Sequence, residues 1–242
     1  MRSSQNEAGF SMIELIVAMV VTLTIMGLAS ALLAASFRVR SREDRKSDAI
    51  ADVQRALNIM TREISNSGMK LPSDLPSISS NGVVAGDSDS GSIRIVSNLN
   101  GMPDSANGYF EDTDVSDADE DIKFLMYVDA ALGQRYIVRY EKTGTNQTTV
   151  LANRIDSLIF RYYDEKVTYD TTINASGECD ITNVLNAAGT AEAEVSPGIA
   201  KFVVIAVGVT LPAVGSPNTD GYQPASQVQL TSDVVLRNSI VY

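Results

Sequence analysis

The chain has no histidine, no tryptophan and only one cysteine, Cys179, among its 242 residues. Each absence closes off a class of chemistry. Without an imidazole there is no histidine base and no histidine metal ligand, which excludes serine–histidine and cysteine–histidine nucleophile systems. A single cysteine cannot form an intrachain disulfide. Cys179 lies in the polar stretch from Asn174 to Asn183, which reads as a loop. An inert thiol is the default there, against an intermolecular bridge or a lipid attachment. Positive charge is also scarce, with 19 Lys and Arg against 30 Asp and Glu and a net charge of −11. Such a surface repels phosphate backbones, so no nucleic-acid partner is expected. Paired carboxylates could still make a hydrolase, but no pair is singled out, and the chain is not read as an enzyme.

Charge of either sign is missing from Leu15 to Ala35, LIVAMVVTLTIMGLASALLAA. At about 1.5 Å per residue this run spans roughly 31 Å, the thickness of a bilayer's hydrocarbon core. It is longer than the apolar stretch of a secretory signal, and Glu14 stands at its start, where such a signal is apolar. A signal cut near Ala34 and Ala35 is the weaker alternative.

The sequence Gly9-Phe10-Ser11-Met12-Ile13-Glu14, followed by this apolar run, closely resembles the type IV prepilin signature. The resemblance implies a leader of residues 1–9, cut between Gly9 and Phe10 by a dedicated prepilin peptidase on the cytoplasmic side. The same enzyme would methylate the new amino group of Phe10. A carboxylate in lipid or in a helix bundle needs a cation. For Glu14 a suitable one is the Phe10 amine of an adjoining subunit. One signal points the other way. Arg38, Arg40, Arg42, Arg45 and Lys46 follow the apolar run, and the positive-inside rule alone would place that end in the cytoplasm. Glu43, Asp44 and Asp48 dilute the cluster, and the motif takes precedence, with the head outside.

Ile50, Val53, Leu57, Met60 and Ile64 recur at spacings of three and four, so the helix is expected to continue as an amphipathic segment that docks on a sheet. Gly68 and Pro72 close it. Beyond that point the period changes to two. Ile93–Val96, Ile122–Val128, Tyr136–Tyr140 and Arg154–Tyr163 read as strands, with Gly133 in a hairpin turn. Val203 to Leu211 and Val228 to Tyr242 form two further alternating rows. Within Arg154–Tyr163, Leu158, Phe160 and Tyr162 share a buried face and Tyr163 is expected to be exposed. Residues 73–91, 100–120, 170–198 and 212–226 read as loops. The expected fold class is α+β, a pilin fold in which a long N-terminal helix, transmembrane and then amphipathic, packs on an antiparallel β-sheet head. Its expected divisions are a leader at 1–9, a membrane or filament-core helix at 10–37, the amphipathic continuation at 38–68 and the head at 69–242.

Three further stretches resemble the PilW group of minor pilins: Ala56 to Ile64 with Gly68, Val150-Leu151-Ala152 leading into Ile155 to Tyr162, and Val235-Leu236-Arg237-Asn238. The related J-type pseudopilins of type II secretion share much of this pattern. The resemblance implies a structural filament subunit, a minor or tip-priming pilin rather than the bulk one. Its partners would be other pilin subunits, the prepilin peptidase and an inner-membrane assembly platform. It would be stored in the inner membrane and end in an extracellular pilus or a periplasmic pseudopilus. A tip adhesin is a third reading. Glu111 to Asp121, EDTDVSDADED, could wrap a hard cation such as calcium, with Asp112, Asp114, Asp117 and Asp119 as candidate ligands. A solvated acidic loop is the favoured alternative.

Overall fold

The computed structural model describes residues 11–71, 78–99, 114–143, 147–219 and 222–239. Helix α1 runs from Met12–Ser65, 54 residues without a break. Nine strands follow among the described residues: β1 (Ser92–Val96), β2 (Asp121–Asp129), β3 (Gln134–Glu141), β4 (Thr148–Asn153), β5 (Ser157–Tyr163), β6 (Thr168–Ile173), β7 (Cys179–Leu185), β8 (Phe202–Leu211) and β9 (Ser226–Val235). All described pairings are antiparallel, in the orders β1-β2-β3-β4, β5-β8-β9 and β6-β7. The molecule is α+β, a long N-terminal helix with antiparallel sheets.

The chain divides into two compact units: Met1–Arg45 with Pro212–Ala225, and Lys46–Leu211 with Ser226–Tyr242. In the first, the Arg42 guanidinium donates to Gln223 Oε1 at 2.8 Å and to the Pro224 carbonyl at 2.7 Å. The 212–225 segment steadies itself for this by a two-way backbone bridge between Val214 and Gln223.

In the second unit, the stripe read from the sequence is buried at Val53, Leu57, Met60 and Ile64, while Ile50 at its start is only half-buried. Val53, Ala56, Leu57, Met60 and Ile64 of α1 join one core with Ile93 and Ile95 of β1, Phe124 of β2, Ile137 of β3, Leu158, Phe160 and Tyr162 of β5, and Val203, Ile205, Val207 and Val209 of β8. The Tyr162 hydroxyl lies 3.0 Å from the Asp89 carbonyl and 3.2 Å from that of Ser92, so its polar end is satisfied inside the core. Asn81 ties this layer together: its amide donates to the carbonyls of Pro197 and Ala200, and its oxygen accepts from Val83 N–H.

The loop expectation for residues 170–198 does not hold. β6 and β7 pair there as a hairpin that covers the far face of β8. Beneath it, Tyr163, Val167, Cys179, Ile181, Phe202, Val204 and Ala206 form a second core. Cys179 is therefore buried at the start of a strand rather than placed in a loop, and burial pushes its thiol pKa up. Tyr163, expected to be exposed, is buried for the same reason. β8 needs an apolar residue on both faces, which explains its nearly unbroken run FVVIAVGVTL. Gly208 makes the close passage possible, because a Cβ there would lie 2.6 Å from Ser157 Oγ and 2.9 Å from Cys179 Sγ.

The end of α1 is held by backbone contacts that leave no room for side chains. Gly68 N–H donates to the Val96 carbonyl at 2.9 Å, and Val96 N–H to the Gly82 carbonyl at 2.8 Å. Asn238 donates its amide to the Ser67 carbonyl at 2.9 Å, in the turn just past the helix. Gly82 has φ +75°, and a Cβ on it would sit 2.0 Å from Gly68 N. We expect Gly82→Ala to cost roughly 2–4 kcal/mol in thermal denaturation. Gly86→Ala, with no atom within 4 Å of its Cβ, should stay close to wild type.

Charges on the outer face of β1 and β2 meet at Asp87, which is bonded to Lys123 at 2.5 Å, Lys142 at 2.8 Å and Arg94 at 3.3 Å. Hydrogen bonds from Lys123 and then Lys142 hold the Asp87 carboxyl well below the usual carboxylate range. A depressed folded pKa means stabilisation that is in force above the unfolded value of about 3.9 and fades as pH falls below it. Asp87→Asn should therefore lower the melting temperature at pH 7. It should also flatten the loss of stability that the wild type shows between about pH 5 and pH 2.

Candidate functional site at the amino end of the helix

The first turn of α1 shows how the sequence starts the helix. Ser11 is the residue just before it, and its hydroxyl accepts from Ile13 N–H at 3.3 Å. Glu14 reaches back, its Oε2 accepting from Ser11 N–H at 3.1 Å. Leu15 N–H closes the first helical turn on the Ser11 carbonyl at 3.2 Å. This is a reciprocal capping box, Ser-x-x-Glu, which satisfies two of the amide donors that a helix start leaves open. The negative carboxylate also sits at the positive end of the helix dipole. Glu14 thus has a partner inside its own chain.

Downstream, α1 has the length and composition to cross a membrane, and its apolar window is not buried at all. Leu15, Ile16, Val17, Leu23 and Leu28 are each more than half exposed. The hydroxyls within this span are silenced locally: Thr22 donates to the Ala18 carbonyl, Thr24 to Val20 and Ser30 to Met26, at 2.7–2.8 Å. Bonding to the carbonyl four residues back lets a hydroxyl sit in an apolar medium without an open donor. Gly27 carries no contact that a Cβ would disturb. The surface offered outward is therefore continuous hydrocarbon, flanked by one capped carboxylate. Gly9 and Phe10, the two residues of the expected cut, lie outside the described residues.

Among the acidic candidates, Asp112 also lies outside the described residues. Asp114 Oδ1 accepts from Ser116 N–H at 2.8 Å and from its hydroxyl at 2.6 Å, and the Ser116 hydroxyl bond holds its pKa down. Asp119 pairs with Arg139, whose other bond goes to Glu63 of α1 at 2.9 Å. The carboxylate that organises this loop was not singled out from the sequence. Glu120 is almost fully buried, accepting Leu99 N–H at 2.8 Å and Asp117 N–H at 3.2 Å. No group of three or more Asp, Glu or Cys able to hold a metal is present among the described residues. Glu120 gave no signal of its own within EDTDVSDADED, where every second residue is acidic or small.

Comparison with known proteins bears on the amino end. Residues 4–33 match the family model of the prokaryotic N-terminal methylation motif. No curated protein and no solved structure matches the chain significantly. The capping box itself is testable. Ser11→Ala or Glu14→Ala should cost the first turn about 1 kcal/mol, seen as faster amide exchange at Met12 to Glu14 in detergent micelles, with the head amides unchanged. The matched segment begins ahead of Phe10 and ends within the unburied helix, so the chain carries a prokaryotic N-terminal methylation motif on a membrane-length helix, as type IV pilin-like and pseudopilin subunits do, and that motif implies membrane association and assembly with other such subunits.

Proposed function

We propose that the chain is a minor, PilW-like subunit of a type IV pilus-like filament. The observation that carries this reading is the unburied apolar run of α1, opened by Glu14 and overlapping the methylation motif. Residues 1–9 form the leader, removed between Gly9 and Phe10 by the prepilin peptidase, which then methylates Phe10. Residues 10–37 form the membrane and filament-core helix, 38–68 its amphipathic continuation and 69–242 the head. The protein waits in the inner membrane with its head outside the cytoplasm. An assembly platform then transfers it to the filament, where helix contacts replace lipid contacts.

Apolar burial supplies little of the driving force for this transfer, since lipid is as apolar as leucine. Specificity rests on close fit and on Glu14. In the single chain Glu14 accepts from Ser11 N–H. Removal of the leader exposes an amine next to that same turn, on Phe10. In the filament the Glu14 carboxylate turns from its own first turn to the Phe10 amine of a neighbouring subunit, exchanging a neutral donor for a charged one. The second reading, a minor pseudopilin of type II secretion, rests on the same motif and differs in destination.

Mass spectrometry of the N-terminal peptide from sheared extracellular filaments and from membranes tests the proposal. A methylated Phe10 terminus in the filament fraction supports the pilus reading, and the same terminus confined to membranes favours the pseudopilin. An intact Met1 or a terminus near Ser36 overturns both. Glu14→Ala should leave membrane insertion intact and sharply reduce incorporation; normal incorporation would refute the pairing.

A further inference from the structure

We propose that the head carries a binding site for a small carboxylated sugar, in a cleft where the β2–β3 turn, the β4–β5 link and the β6–β7 turn meet. The inference is independent of the filament reading. The cleft has a volume of about 550 Å³ and is lined by Arg135, Arg154, Asp156, Ser176, Glu178 and Gln227, among others. That volume lies within the range of small-molecule sites. The lining, however, is mostly polar, which suits a polyhydroxylated ligand rather than an apolar one.

The arginines set the charge. Elsewhere on the strands, Arg94 pairs with Asp121 and Asp87, Arg139 with Glu63 and Asp119, and Arg161 with Asp180 and Glu194. In a chain with 30 acidic residues and 19 basic ones this is the expected fate of a guanidinium. Arg135 of β3 and Arg154, in the link between β4 and β5, depart from it, as does Arg55 on α1. Among the described residues neither cleft arginine has a carboxylate within salt-bridge distance, although Asp156 and Glu178 line the same cleft. Arg135 donates to the backbone carbonyl of Asp156 instead. Both arginines are brought together by register, since Arg135 O accepts Ile155 N–H at 3.2 Å, one residue beyond Arg154.

Arg154 is also held with φ at +57°, in the left-handed region where a long side chain is disfavoured. A glycine would sit there at less cost, which makes Arg154→Gly a usable probe. The walls are built to stay in place. Asp156 accepts Thr210 N–H, and Gln227 Nε2 donates to the Gly177 carbonyl at 3.2 Å, which pins the β6–β7 turn to β9. Glu178 Oε2 is 3.4 Å from Asn174 Nδ2.

Two guanidiniums without carboxylate partners offer the planar fork that fits a carboxylate. Asp156, Glu178, Ser176 and Gln227 offer acceptors and donors for hydroxyls. The cleft sets two cations beside two anions, so it can meet a ligand that carries one carboxylate together with several hydroxyls. A uronic acid meets these terms.

The test is isothermal titration of the full-length chain in detergent micelles with glucuronate and galacturonate, and with glucose and acetate as single-feature controls. We expect saturable binding of at least one uronate, tenfold or more tighter than either control. Arg154→Gly should abolish it while leaving the melting temperature unchanged or higher, because the strained φ is relieved. Arg135→Gln should weaken it at least tenfold. No saturable uronate binding, equal binding of glucose or of acetate, or wild-type affinity in Arg154→Gly would each overturn the proposal.

Discussion

The structure of the head depends on burying one stripe of α1. Val53, Ala56, Leu57, Met60 and Ile64 are nearly or fully excluded from solvent and belong to one core with side chains from the sheets. Truncating Leu57, Met60 or Ile64 to alanine typically costs about 2–5 kcal/mol, a large part of a domain's net stability. The same helix, from Met12 onward, exposes its leucines, isoleucines and valines all round. One uninterrupted helix thus meets two solvents. Where its apolar residues recur every third or fourth position among polar ones it pairs with a protein core, and where it carries no charge it requires lipid or other helices.

Around that stripe, polar side chains act mainly as backbone partners. Asn81, Asn238, Glu120 and Ser157 bind main-chain groups of segments far away in sequence. Among the described residues no buried side-chain nitrogen or oxygen is left without a partner. This matters for a head whose only cysteine is buried and unpaired, since neither a disulfide nor a described metal cluster staples its loops. Asparagine and glutamate bonds to backbone groups do that work, each worth about 1 kcal/mol net but costly to leave unmade once buried.

The amino end follows the same economy in an apolar setting. Every hydroxyl in the exposed span bonds back to its own helix, and Glu14 caps the first turn. The acidic surplus of the head is organised differently: Asp87, Asp119, Asp121, Asp180 and Glu194 pair with Arg94, Lys123, Arg139 and Arg161 of the strands, which leaves Arg135 as the strand arginine without a carboxylate partner, with Arg154 beside it.

The sequence by itself determined the helix, the motif and the first core. An uncharged run of bilayer length, the linked positions from Gly9 to Glu14 and a stripe of period 3.6 are local patterns, and local patterns survive without knowledge of what lies opposite. The rows Leu158-Phe160-Tyr162 and Val203-Ile205-Val207 were legible for the same reason. Only the tertiary structure decided the second core. β6, Thr168–Ile173, is almost entirely polar, and nothing in it announces a strand until β7 pairs with it and Cys179 drops against Gly208. Tyr163 is buried by that distant hairpin, not by its own alternation. Glu120 is one carboxylate among many in its segment, and burial singled it out. Arg135 and Arg154 are 19 positions apart, joined in one cleft by the register of β3 with β4 and the link that follows. Each of these rests on long-range pairing, and a periodicity within one segment carries no record of its partner.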